Sequence, residues 1–472
     1  MESNGYFVDK YTYIDDMSGI WIREEFEDCL PMEEEILPAA QQGDAGAEFV
    51  YYLVNSDGVG CEPNLDIAME YLHRSAEHGC RVAQEWLGTK YHAGVEGWEA
   101  DIDAAVMWYK RSAEQGYIPA LFMLGECYKL GTGVERDVEK AMEYYRVAAE
   151  GGHPWAQHAL GNGYYYGRGV ARDYEEAVKW YTLSAEQGWA PAQNSLGNCY
   201  WYGRGVEQDI DEALNWLTTA AENGNTDAQT ALGTKYYTGE YVEQDYEEAV
   251  KWLTMAARQN HDWAQNNLAN CYRYGCGVEQ DMEMAFRLYL AAAENGNFMS
   301  QKTLGNFFSK GIFVLTDHKE AVKWYTLAAE NGDCESQAIL GNYYHNGIGV
   351  ELDYMEAVKW YRMAAEKGHT GAQYNLGAAY GYGQGVFPDM NEAVKWFRIS
   401  AENGHYYGQK TMGDLYYSGN GVEQDIETAL EWYKKSAEQD CVEAMKCLAS
   451  HYESIDPTVS EMWCNRIAEI EG

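Results

Sequence analysis

The stretch LGNCYWYGRGVEQDIDEALNWLTTAAENG, Leu196–Gly224, decides the fold because near copies of it stand on both sides. Its leucine returns as Leu124, Leu160, Leu232, Leu268, Leu304, Leu340, Leu376, Met412 and Leu448 at a spacing of 36 residues, and Leu87 precedes them by 37. A fixed period of roughly 20–50 residues marks a repeat array, in which each unit stacks on its neighbours. Eleven full copies and a shortened last one are expected.

Each copy reads as two helices. Around Leu160, the residues Ala156, Leu160 and Tyr164 stand four apart, one stripe of a first helix that Gly167 can close in the left-handed conformation. Asp173 then opens a second helix. Glu176 follows three residues on, a capping-box-like pair for the free amides of the helix start. Ala177, Trp180, Tyr181, Ser184 and Ala185 form its apolar face, which stops at Gly188. The small Ala177 and Ala185 allow close helix approach, and Trp180 fills space between neighbours. Such a hairpin cannot bury both faces alone, so it must stack on the next. The expected fold is all-α, an α/α superhelical solenoid of about eleven helix-turn-helix repeats of 36 residues, after a short non-repeat segment. Residues 1–38 are expected to be an N-terminal cap or tail, residues 39–472 the solenoid, and residues 446–472 a shortened C-terminal capping repeat. Within 1–38 the runs YFVDKYTYI and IWIREEF suggest a β-hairpin, with a helix or an aromatic-acidic tail as alternatives.

The 472 residues include 34 Lys and Arg against 75 Asp and Glu, a formal charge of −41. That charge repels phosphate backbones and anionic lipid surfaces, so no nucleic-acid or membrane partner is expected. A protein or peptide, basic or neutral, is the expected partner. The polar, acidic opening MESNGYFVDKYTYIDDMSG does not resemble a signal peptide, and no apolar run reaches transmembrane length, so a cytoplasmic protein is expected. The oligomeric state is not readable from the chain. Cys127, Cys199 and Cys271 share one repeat position 72 residues apart, too distant to bridge, and are read as reduced core thiols.

The alternation of A-Q-x-x-L-G, Y-x-x-G-x-G-V, D-x-x-E-A and W-Y-x-x-A-A-E-x-G resembles the Sel-one-like repeat family, relatives of tetratricopeptide repeats, over roughly residues 39–472. The resemblance implies a right-handed superhelix that serves as adaptor, scaffold or peptide-binding surface, without activity of its own. The chain departs from the pattern in four places. Gly239-Glu240-Tyr241-Val242 and Gly311-Ile312-Phe313-Val314 lack the second glycine, Arg258-Gln259-Asn260 replaces E-x-G, and Asp440 stands where a closing glycine is expected.

Catalytic patterns are not evident. GRGVARD and GTGVERD lack the third glycine of a dinucleotide loop and recur down the array as helix-to-helix turns. Most paired carboxylates belong to helix caps or exposed faces. Cys441, Cys447, His451 and Cys464 are metal-ligand types without tight spacing and read as core thiols of a terminal hairpin. No enzyme, cofactor or metal site is expected.

Function should use the positions that architecture leaves free. With Ala156 as position one of the first helix, positions four, seven, eight and eleven vary between copies and are assigned to a second face. By analogy with tetratricopeptide arrays that face is concave. Its expected partner-binding residues are Asn162, Tyr166, Asn198, Tyr202, Lys235, Asn270, Tyr274, Phe307, Asn342 and Tyr343. An amide has donors and acceptors suited to a peptide backbone, and tyrosine offers contact area with a polar tip. The function expected is a non-enzymatic interaction scaffold. The alternative is an immunity- or inhibitor-type protein that neutralises a basic toxin or effector.

Overall fold

A computed structural model describes residues 6–7, 12–15, 19–22, 32–57, 62–94 and 99–471. Three short antiparallel strands come first, β1 (Tyr6–Phe7), β2 (Thr12–Asp15) and β3 (Gly19–Ile22), in the order β1-β2-β3 with Tyr13 opposite both Phe7 and Trp21. The rest of the described chain is helical. Two compact units divide it, Met1–Leu232 and Gly233–Gly472.

The first unit contains α1 (Met32–Gln41), α2 (Ala45–Asp57), α3 (Leu65–Glu77), α4 (Arg81–Ala93), α5 (Ile102–Glu114), α6 (Ile118–Leu130), α7 (Val138–Glu150), α8 (Pro154–Tyr166), α9 (Tyr174–Glu186), α10 (Ala190–Tyr202) and α11 (Ile210–Glu222). The boundary falls within α12 (Thr226–Thr238). The second unit continues with α13 (Tyr246–Arg258), α14 (Asp262–Tyr274), α15 (Met282–Glu294), α16 (Phe298–Lys310), α17 (His318–Glu330), α18 (Cys334–Asn346) and α19 (Tyr354–Glu366). It ends with α20 (Thr370–Tyr382), α21 (Met390–Glu402), α22 (Tyr406–Ser418), α23 (Ile426–Ala437), α24 (Val442–Tyr452) and α25 (Pro457–Glu471). From α2 on, even numbers are first helices and odd numbers second helices of a repeat. Within each unit, helices adjacent in sequence are the main packing partners, as a solenoid requires.

The repeated letters have identifiable jobs. Asp173 Oδ1 accepts from the Glu176 amide at 3.0 Å, and Asp137, Asp209, Asp281 and Asp425 cap their helices in the same way. The Glu176 carboxylate does not complete a reciprocal box. It accepts from Lys179 Nζ at 2.8 Å and from the Trp180 indole at 3.1 Å. Gly161 exists for close approach, since a Cβ there would stand 2.7 Å from the Tyr181 ring. The buried glutamine of A-Q locks one hairpin to the next. Gln193 Nε2 donates to Ala185 O at 3.2 Å, and Gln193 Oε1 accepts from Asn223 at 2.9 Å. In one copy Lys367 replaces that asparagine and donates to Gly332 O instead, leaving Gln337 Oε1 buried with no partner among the described residues.

Among the described residues four non-glycines adopt positive φ: Tyr241 at 60°, Asn260 at 61°, Phe313 at 66° and Asp440 at 61°. They occupy the four departures named above. The turn is therefore kept by the packing around it even where its glycine is absent, against a left-handed cost of roughly 1–2 kcal/mol for an L-residue. Cys127, Cys199 and Cys271 are buried free thiols, and burial pushes their pKa values to about 11, 12 and 12.

Candidate functional site

Asn162 and Tyr166 line an open cavity of about 820 Å³ in the first unit, between α6, α7 and α8. Phe122 of α6, Ala141 and Met142 of α7, and Trp155 and Ala159 of α8 supply apolar wall, and Trp189, at the start of α10, stands at its edge. Small side chains leave this space open. Ala159 is position four of α8. The same position of α4 carries Trp86, whose ring lies 5.7 Å from Phe49 and 5.8 Å from Tyr52 of α2. Phe122 is the counterpart of Phe49, so an alanine faces the ring that a tryptophan meets two hairpins earlier. Gly163 has a second effect, since a Cβ there would collide with the Met142 methyl at 2.1 Å. The aromatic wall is continuous, with Phe122 to Trp155 at 5.8 Å and Trp155 to Trp189 at 5.2 Å between ring centroids. The Trp189 indole N–H is buried with no acceptor among the described residues.

The charged groups around this cavity differ in how far they are engaged. Glu126 is ion-paired with Lys129 at 2.5 Å and also accepts from the Tyr145 hydroxyl. Burial, reinforced by that carboxylate, raises the Tyr145 pKa. Arg136 donates through Nε to Lys129 O at 3.1 Å, and the Arg168 guanidinium lies 4.9 Å from the Tyr166 ring centroid. Neither arginine has a carboxylate partner among the described residues. His158 is held neutral, its pKa lowered to about 4 by burial, and its Nε2 lies 3.2 Å from Ser195 Oγ. Three cations against one carboxylate give this cavity a net charge of about +2, within a chain of −41.

The other residues expected from the sequence lie elsewhere. Tyr166, Tyr202 and Tyr274 are 56%, 53% and 59% exposed, and each carries a guanidinium, with Arg204 at 5.2 Å from Tyr202 and Arg273 at 5.1 Å from Tyr274. The asparagines are partly engaged within their own repeats. The Tyr181 hydroxyl donates to Asn162 Oδ1 at 2.8 Å, Tyr289 to Asn270 Oδ1 at 2.6 Å, and Tyr361 to Asn342 Oδ1 at 2.8 Å. Asn198 differs because Leu217 stands where the tyrosine would be; its Nδ2 donates to Asn194 at 3.4 Å.

Lys235, Phe307 and Tyr343 are a correction. All three occupy position eight, seven residues beyond the buried position one, and seven steps of a helix return to within about 20° of the same direction. Lys235 is 6% and Phe307 0% exposed, while half-buried Tyr343 packs edge-on to Tyr325 at 5.7 Å. Burial lowers the Lys235 pKa to about 8. Lys235 and Phe307 therefore belong to the core, and Tyr343 packs largely against the preceding helix.

The sequence reading missed Phe122, Met142, Arg136 and Arg168. Phe122 is position three, which varies as freely as position seven, with Glu85, Phe122, His158, Asn194 and Lys302 in successive or later copies. That variation was a usable signal. The arginines were read only as parts of a turn.

Among the described residues no three His, Cys, Asp or Glu side chains come together to hold a metal ion, and no helix is long and apolar enough to cross a membrane. The Sel1 repeat model matches eleven segments from residue 51 to residue 441. A protective antigen of uropathogenic Escherichia coli strains, with an SLR fold, is 32% identical over 93% of this chain and 96% of its own, with a TM-score of 0.61. A Sel1 repeat protein from Oxalobacter formigenes is 32% identical over 70% of this chain and 93% of its own, with a TM-score of 0.50. An immunity protein from Pseudomonas aeruginosa is 21% identical over 45% of this chain and 81% of its own, with a TM-score of 0.33. No curated protein matches the sequence. With the family model covering most of its length, the chain belongs to the Sel1 repeat family.

Proposed function

We propose that this protein is a non-enzymatic adaptor that holds a segment of another protein in the cavity between α6, α7 and α8. Sel1 repeats generally mediate protein–protein interaction, and they build non-catalytic scaffolds. The observation that carries the reading is the opening itself. About 820 Å³ lie against aromatic and apolar side chains, Trp155 and Tyr166 among them exposed, at the place where Trp86 occupies the equivalent position of an earlier repeat. Pockets of roughly 300–1,000 Å³ suit one or two side chains with a few polar groups to orient them. Asn162 and Tyr166 provide such groups at the wall, although the Tyr181 hydroxyl already occupies one lone pair of the amide oxygen. Aromatic anchors supply most of the affinity in such a site, because each hydrogen bond adds only about 1 kcal/mol net.

Ala159→Trp tests this reading, since the chain itself tolerates tryptophan at that position in α4. A photo-crosslinking amino acid at Tyr166 should trap a discrete partner protein in cells, and the adduct should vanish when Ala159→Trp is added. The same probe at Tyr382, which is 79% exposed in the second unit, is the control. Equal trapping at both positions, or trapping at 166 that survives Ala159→Trp, contradicts the assignment.

A further inference from the structure

We infer that the cavity takes an acidic peptide segment, with an apolar or aromatic side chain against Phe122 and Met142 and a neighbouring carboxylate held by Arg136 and Arg168. This rests on the cavity being a protein-binding site and adds the chemistry of its occupant. The argument is one of local charge. Glu126 is the single carboxylate that lines the cavity, and Lys129 and the Tyr145 hydroxyl already satisfy it. A basic side chain entering there would find no unpaired anion and two guanidinium groups. A carboxylate finds the reverse. Arg136 is held by its Nε–H, which leaves its terminal nitrogens free to donate, and Arg168 lies against the Tyr166 ring, which leaves the donor edge of its plane open. Both side chains are therefore fixed in part before a ligand arrives, which lowers the entropy lost on binding.

The charge of the whole chain opposes this partner at a distance and the cavity favours it at contact. The Debye length is about 8 Å at physiological ionic strength, so the surrounding −41 acts mainly on approach. Added salt should therefore speed association of an acidic segment while also speeding its dissociation. A basic partner attracted by the surface shows the opposite trend in association rate.

Random short peptides displayed on phage and selected on the full chain provide the test. The enriched peptides should be net acidic with a Leu, Phe or Trp beside Asp or Glu, and Ala159→Trp should abolish their binding. Arg136→Gln with Arg168→Gln should weaken them at least roughly tenfold, the scale of one charge-assisted contact, while leaving the thermal melt unchanged. Inorganic phosphate at millimolar concentration should not displace them. Enrichment of basic peptides that Ala159→Trp displaces, or indifference of acidic peptides to the arginine changes, overturns the acidic occupant and leaves the cavity as a protein site. Displacement by inorganic phosphate assigns the arginines to a phosphate group and also overturns it. Absence of any peptide sensitive to Ala159→Trp overturns both readings.

Discussion

Tyr181 donates its hydroxyl to Asn162, and the same geometry recurs at Tyr289 with Asn270, Tyr325 with Asn306, Tyr361 with Asn342 and Tyr433 with Asp414. Position seven therefore varies for a reason other than recognition. It must accept a hydrogen bond wherever the second helix carries tyrosine. Where that residue is Phe397, position seven is Ala378 and no acceptor is needed. The pairing is visible in the sequence once the two positions, 19 residues apart, are compared. Tyr181→Phe should lower stability by about 1 kcal/mol, read as a shift of the denaturation midpoint. Adding Asn162→Ala to Tyr181→Phe should restore much of it, since removing both partners leaves nothing unsatisfied. A double variant no more stable than the single one contradicts this assignment. Asn198, which faces Leu217, should show no such coupling.

The buried histidine cap of α8 connects that helix to pH. His153 Nδ1 accepts from the Ala156 amide at the start of α8, and His261, His369 and His405 cap α14, α20 and α22 in the same way. An imidazole can accept there only while that nitrogen is unprotonated. Burial lowers the pKa values of His153 and His158 to about 4 from an ordinary 6.5. Between those two values the unfolded chain binds more protons than the folded one. The stability each contributes is present above about pH 6.5 and declines as pH falls toward 4. His153→Asn keeps the cap, as Asn297 does for α16, and removes the titration. Its melting temperature should fall less than that of the parent chain between pH 6.5 and pH 4. Parallel pH profiles would contradict the linkage. The glycine-less turns give a second test at this level. Tyr241→Gly and Phe313→Gly should each stabilise by about 0.5–1 kcal/mol, because left-handed strain is relieved and only part of the gain is offset by unfolded-state entropy. A destabilisation would mean that those side chains pack well enough to outweigh the strain.

Across the whole chain, the period of 36 residues made the helix pairs, their caps and their closing glycines legible, because each is fixed by letters that repeat. The cavity was much less so. It arises where small residues, Ala159 and Gly163, coincide with Phe122 and Met142 from two other helices, and no single repeat contains that coincidence. Asn162 and Tyr166 line it together because they lie on one helix face. Position eight misled because sequence variability alone does not distinguish a solvated site from a core site filled differently in each copy. The net charge of −41 is also a property of the whole. Among the described residues most ion pairs lie within one helix, commonly as exposed Lys–Glu contacts, each worth at most about 1 kcal/mol. Self-repulsion should therefore dominate. Raising NaCl from about 0.01 M to 0.1 M shortens the Debye length from about 30 Å to about 10 Å and should raise the melting temperature. A fall would show that the ion pairs matter more than the repulsion. The most direct measurement is hydrogen–deuterium exchange of the full chain with and without a saturating phage-selected peptide that Ala159→Trp displaces. Slower exchange confined to α6, α7, α8 and the turns that bear Arg136 and Arg168 is the expected result. Protection that leaves those helices unchanged and falls within residues 233–472 would contradict the account.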